Sequence, residues 1–84
     1  MPYIEQGDRP AFDVLIDQFD FGGPGELNYV ITKLIQRYFI GFARVGYAEI
    51  NEVVGILHCV AYEFYRRWAA PYEDQKIEEN GDVY

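Results

Sequence analysis

A proline-free run, INEVVGILHCVAYEFYRRW from Ile50 to Trp68, limits what this chain can fold into more than any other stretch. It is apolar over more than a simple stripe, and it holds the only histidine, cysteine and tryptophan. At about 100° per residue, Ile50, Val53, Val54, Leu57, Val60, Ala61, Phe64 and Trp68 fall on one broad arc, the core side of a long helix. Asn51, Glu52, Gly55, His58, Cys59, Tyr62, Glu63 and Arg66 lie on the other side. Small, aromatic and hydrogen-bonding residues mixed in this way make a contact surface rather than a plain solvated one. Glu52, Cys59 and Arg66 recur every seven residues, as do Gly55 and Tyr62, a seam suited to another helix. Gly55 lets a backbone approach closely, at a helix cost of about 1 kcal/mol.

The remaining elements are read around this helix. Met1 to Gly7 reads as an extended lead-in, with Tyr3 and Ile4 available for packing. Asp8 is placed to cap, Pro10 suits helix entry, and Phe12, Leu15, Ile16 and Phe19 recur at helical spacing, which predicts a first helix from about Arg9 to Phe19. The Phe21–Gly25 segment (FGGPG) stops it. This glycine-rich loop lacks the lysine and Ser/Thr of a P-loop, so it reads as a connector. A second helix is predicted from about Glu26 to Ile40, with Leu27, Val30, Ile31, Leu34, Ile35 and Tyr38 inward and Lys33, Gln36 and Arg37 facing water. Gly41 ends it, and residues 42–46 form a loop. The long helix then starts near Ala48 or Glu49 and runs to about Ala70, where Pro71 ends or kinks it. A short helix follows, from Pro71 to a stop at Asn80-Gly81.

Eighty-four residues make one small domain, 1–84, only marginally able to stabilise itself. With 18% aromatic residues, it carries more aromatic surface than so small a core buries, which predicts self-association. A net charge of −7 repels phosphate backbones and argues against nucleic acid as a partner. One cysteine makes no internal disulfide, and the N-terminus has no signal-peptide pattern, so a cytoplasmic setting is expected. No stretch reaches the ~18 uncharged apolar residues of a membrane span.

Two readings of the polar side compete. In one it is a helix–helix interface, with Glu63 paired to Arg66 or Arg67. In the other, Asn51, Glu52, His58, Tyr62, Glu63 and Arg66 line a pocket. A metal is not expected, because His58 is neither three nor four residues from Glu52 or Glu63. Cys59 beside His58 points along a different face, which weakens a Cys–His nucleophile as well. A helical nucleotide pyrophosphohydrolase needs an acid pair on each of two helices, and the second helix offers only Glu26.

The segments GELNYVIT from Gly25, INEVVGIL from Ile50, and Glu63 through the C-terminal PYEDQKIEENGDVY resemble a family of short uncharacterised proteins found mostly in bacteriophages and some prokaryotic genomes. The likeness covers most of the chain and departs in the loops around Phe19–Gly25 and Phe42–Gly46. It implies an origin rather than an activity. It also implies that the tail from Tyr72 to Tyr84 folds back, or onto a second subunit, and completes a surface.

The expected fold is all-α: a small helical domain with the long central helix in a helix hairpin and short N- and C-terminal helices. A homo-oligomer, most simply a dimer, is expected through the long helix. The expected function is that of a non-catalytic phage-type accessory protein. It acts by self-association and by binding a host protein or a small anionic ligand, without a cofactor. Arg66 and Arg67 would anchor an anion, Tyr62 or Tyr65 would stack on it, and Tyr72 would complete the surface. The alternatives are a metal-dependent enzyme using Glu52, Glu63 and His58 on a phosphorylated nucleotide-like substrate, and a structural component of a viral particle.

Overall fold

A computed structural model describes residues 4–84. Every regular element among them is helical, as the spacing of the apolar residues predicts. The role expected of Tyr3 lies outside the described residues. A 3-10 turn over Gln6–Asp8 takes up the end of the expected extended lead-in. Asp8 closes that turn with helical dihedrals and makes no side-chain cap, and Arg9 instead donates its guanidinium to the Ile4 carbonyl.

Helix α1 covers Arg9–Ile16, three residues shorter than its pattern suggests. Its end tightens into three-residue turns, Gln18 N–H bonding Leu15 O and Phe19 N–H bonding Ile16 O. Phe19 therefore leaves the helix, and its ring stacks on that of Phe21 at 5.7 Å. Helix α2, Pro24–Ile40, begins two residues earlier than predicted. Proline at the first helical position gives up an N–H that would have no partner there, and its fixed φ suits the first turn. Glu26 reaches back to accept the Gly22 N–H at 2.6 Å, covering one free donor at the positive end of the helix. Thr32 returns its hydroxyl to the Asn28 carbonyl at 2.8 Å, which uses the polar pair bordering the apolar face. Gly41 ends α2, as expected.

The chain divides here into two units, Met1–Gly41 and Phe42–Tyr84. The second opens with a loop over residues 42–46 and then helix α3, Tyr47–Phe64. Glu49 starts α3 by accepting the Gly46 N–H at 3.0 Å. This is half of a capping box, since Gly46 has no side chain to return the bond.

Pro71 does not end the long helix. After α3 comes a π turn, Tyr65–Ala69, and then helix α4, Ala70–Asn80, without interruption. In an α-helix, the Pro71 ring would press on the carbonyl four residues back, that of Arg67. The π turn relieves this by holding one extra residue. Its signature is the Ala70 N–H bonding Tyr65 O, five residues back. The tail therefore prolongs the long helix instead of folding back on it. Gly81 then stops the helix with φ 87°, a left-handed conformation that glycine adopts without the Cβ clash other residues suffer.

The extra residue also resets the helix phase. Residues eight apart on an α-helix sit about 80° off one another's face. Retaining one residue within a turn removes about 100° of that rotation and leaves the pair nearly aligned. Tyr65 and Glu73 are such a pair, and the Tyr65 hydroxyl lies 2.7 Å from both Glu73 oxygens, spanning Pro71. This bond raises the Tyr65 pKa, because ionising the phenol would set it against the carboxylate.

Neither unit closes a core of its own. No described residue of the first is buried, and in the second only Val53 is, at 8% exposure. Along the apolar arc, Val54 and Leu57 are more open than Val53, and Trp68 reaches 69%.

Pro71→Ala should let the π turn relax to α and stabilise the helix by about 1–3 kcal/mol in urea unfolding. The same change should rotate Glu73 away from Tyr65. By NMR, Tyr65 should titrate above the ordinary tyrosine value in the wild type and fall towards that value in the variant. A Tyr65 titration unchanged by the substitution would show that proline does not cause the turn.

Candidate functional site on the long helix

The polar residues singled out in the sequence lie along one continuous helix. At about 1.5 Å per residue, Asn51 and Tyr72 are roughly 30 Å apart along its axis. Along it they fall into separate groups.

Asn51 and Glu52 are exposed near the start of α3. One and a half turns further on, His58 Nδ1 lies 3.2 Å from the Tyr62 hydroxyl, with the rings tilted at 5.6 Å between centroids. Cys59 is exposed beside them. Among the described residues, no three or more His, Cys, Asp or Glu side chains gather closely enough to hold a metal ion.

The densest group is Glu63, Arg66 and Arg67. Glu63 is half-buried, and both arginines are exposed. Arg66 approaches side-on, with Nη2 2.8 Å from Oε1 and Nε 3.3 Å from Oε2, while Arg67 Nε donates to Oε1 at 2.8 Å. Spacings of three and four residues, with the acid N-terminal, suit such pairs on a helix. Hydrogen bonds from Arg66 first and Arg67 second hold the Glu63 carboxyl at about 2, against an ordinary 4.5. The same contact pushes the Arg66 pKa up. One carboxylate against two guanidiniums leaves the group cationic. An added anion could therefore bridge the arginines on the side away from Glu63.

Tyr72 completes the row one helix segment later. Lys76 Nζ lies 5.5 Å from its ring centroid, and Lys76 also pairs with Glu79 at 3.2 Å. The pairing of Glu63 with the arginines is thus as the sequence suggests, with both partners engaged instead of one. The Tyr65–Glu73 bond was not foreseeable from helical periodicity, because no α-helical rule joins residues eight apart. Its only sequence signal is the proline between them.

Glu63 links this group to pH. Its carboxyl is depressed, so its support for the helix is complete above about pH 4.5 and is lost as pH falls through about 2. Circular dichroism of Glu63→Gln should therefore show a helicity deficit relative to wild type that is constant from pH 7 down to about 4.5 and closes near pH 2. Salt should shrink the deficit, since both arginines face water. A deficit that persists at pH 2 would assign the effect to packing instead of charge.

No helix among the described residues is long and apolar enough to cross a membrane. Compared with known proteins, the chain matches the family model of a domain of unknown function (DUF6899) over residues 1–83. No curated protein and no solved structure matches it. The match takes in the short first helix, both longer helical segments and the tail, so the chain belongs to the DUF6899 family, an uncharacterised domain family.

Proposed function

We propose that the protein acts by binding rather than catalysis. Copies of the chain associate through the long helix, and the assembled surface holds a host protein or a small anionic ligand. This is the role of a phage-type accessory protein in the host cytoplasm.

One observation carries the reading. The apolar arc of the long helix buries Val53 and leaves Val60, Phe64 and Trp68 open, with Phe64 and Trp68 stacked on each other at 6.4 Å. Aromatic side chains gain most of their stabilisation by leaving water, and a helix face of this kind is stable only when something covers it. The seven-residue recurrence of Glu52, Cys59 and Arg66 on the opposite, polar side suits contact with a second helix there as well. For a small anion, the cationic Glu63–Arg66–Arg67 group is the anchor, with Tyr62 and Tyr65 close by for stacking.

Native mass spectrometry and sedimentation of protein purified from its host test both parts. An oligomer, most simply a dimer, is expected at micromolar concentration. Phe64→Glu should weaken association about tenfold or more while helicity is retained, because the side chain is exposed within the chain. A retained anionic ligand should be lost when Arg66 and Arg67 are both replaced by alanine. A stable monomer at micromolar concentration would overturn the reading.

A further inference from the structure

The charge of the chain is unevenly laid out. In residues 24–46, Lys33, Arg37 and Arg44 against Glu26 leave +2. In residues 70–84, five acids (Glu73, Asp74, Glu78, Glu79 and Asp82) against Lys76 leave −4.

The positive stretch presents a defined stripe. Lys33, Gln36, Arg37, Ile40 and Gly41 follow one face of α2 and line a concavity of about 540 Å³. Lys33 Nζ lies 5.6 Å from the Tyr29 ring centroid, which leaves its charge unneutralised. Among the described residues, Arg37 has no ion pair. Ile40 is 78% exposed. The negative end of the helix dipole accounts for Arg37, but for neither Lys33 one turn earlier nor the open Ile40.

The negative stretch carries a matching stripe. Glu73 is held by Tyr65, Glu79 by Gln75 and Lys76, and Asp82 accepts the Tyr84 N–H. That leaves Asp74 and Glu78, one turn apart on α4, without an ion pair among the described residues. Ile77 lies on the same face, 42% exposed, and Gly81 follows one turn after it. Each stripe therefore has two like charges about 6 Å apart along the axis, with an exposed isoleucine and a glycine on the same face. The signs are opposite.

We propose that the Asp74–Glu78 stripe of one copy docks on the Lys33–Arg37 stripe of a second copy. A two-fold axis makes the contact twice per dimer, α2 of each chain receiving α4 of the other, which closes the assembly. This inference rests on the self-association proposed above and names a surface that it uses. The charges set partner and register, while Ile40 and Ile77 supply the apolar part.

Sedimentation of the full chain tests it with the pairs Lys33→Glu/Arg37→Glu and Asp74→Lys/Glu78→Lys, an equimolar mixture of the two, and a chain carrying all four changes. All four positions are exposed, and circular dichroism confirms that each variant is helical. Each pair alone should weaken association about tenfold or more, and added salt should weaken the wild type. Both the mixture and the fourfold variant should recover it. Wild-type association in both pair variants would overturn the docking and leave self-association standing. Recovery in the fourfold variant but not in the mixture would place the pairing within one chain and also overturn it. A monomeric wild type would overturn both proposals together.

Discussion

An amphipathic helix is stable to the extent that its apolar side is taken out of water, and this condition governs the whole molecule. Every described element is a helix or a turn, so nearly all backbone hydrogen bonds are local. Local bonds alone hold short helices poorly, and most helical stability in proteins comes from packing. Here the second unit buries little more than Val53, and no described residue of the first is buried. The apolar arc of α3 and the inward face predicted for α2 are thus prepared surfaces, and what covers them decides whether the helices persist.

The polar side follows a second condition, that charges on a solvated helix sit near opposite charges at three or four residues. Glu63 with its two arginines and Lys76 with Glu79 obey it. Such exposed pairs contribute little stability individually. Their value lies in orientation. Glu63 holds two long, mobile guanidinium side chains in one place at the head of the π turn.

Most of the fold was legible in the sequence because helical periodicity is local. The order of helices, the loop at residues 42–46, the stops at Gly41 and Gly81, and the Glu63–arginine pairing all follow from spacings of three or four residues and from glycine and proline chemistry. The departures are local too. α2 starts early because Pro24 suits the first helical turn, and α1 ends early where its last turn tightens, which shifts boundaries without changing elements. At Pro71 the competing outcomes are a break, a kink or a wider turn. Sequence pattern does not rank them, since the choice depends on where one carbonyl moves. The candidate site was legible as a list of residues but not as a grouping, because a list along a helix has no third dimension until something packs against it.

The π turn has a consequence for how the C-terminal segment is addressed. Positions after Ala69 are displaced by one residue from the face that the repeat of α3 assigns them, so the long helix carries two reading frames joined at Pro71. A partner gripping α3 and α4 together must match both frames. An ordinary uninterrupted helix in register with α3 would meet the wrong residues from Tyr72 onward. The proline thereby sets the side chains beyond it in a different helical phase from those of α3, one residue out of step with a continuous coiled-coil repeat.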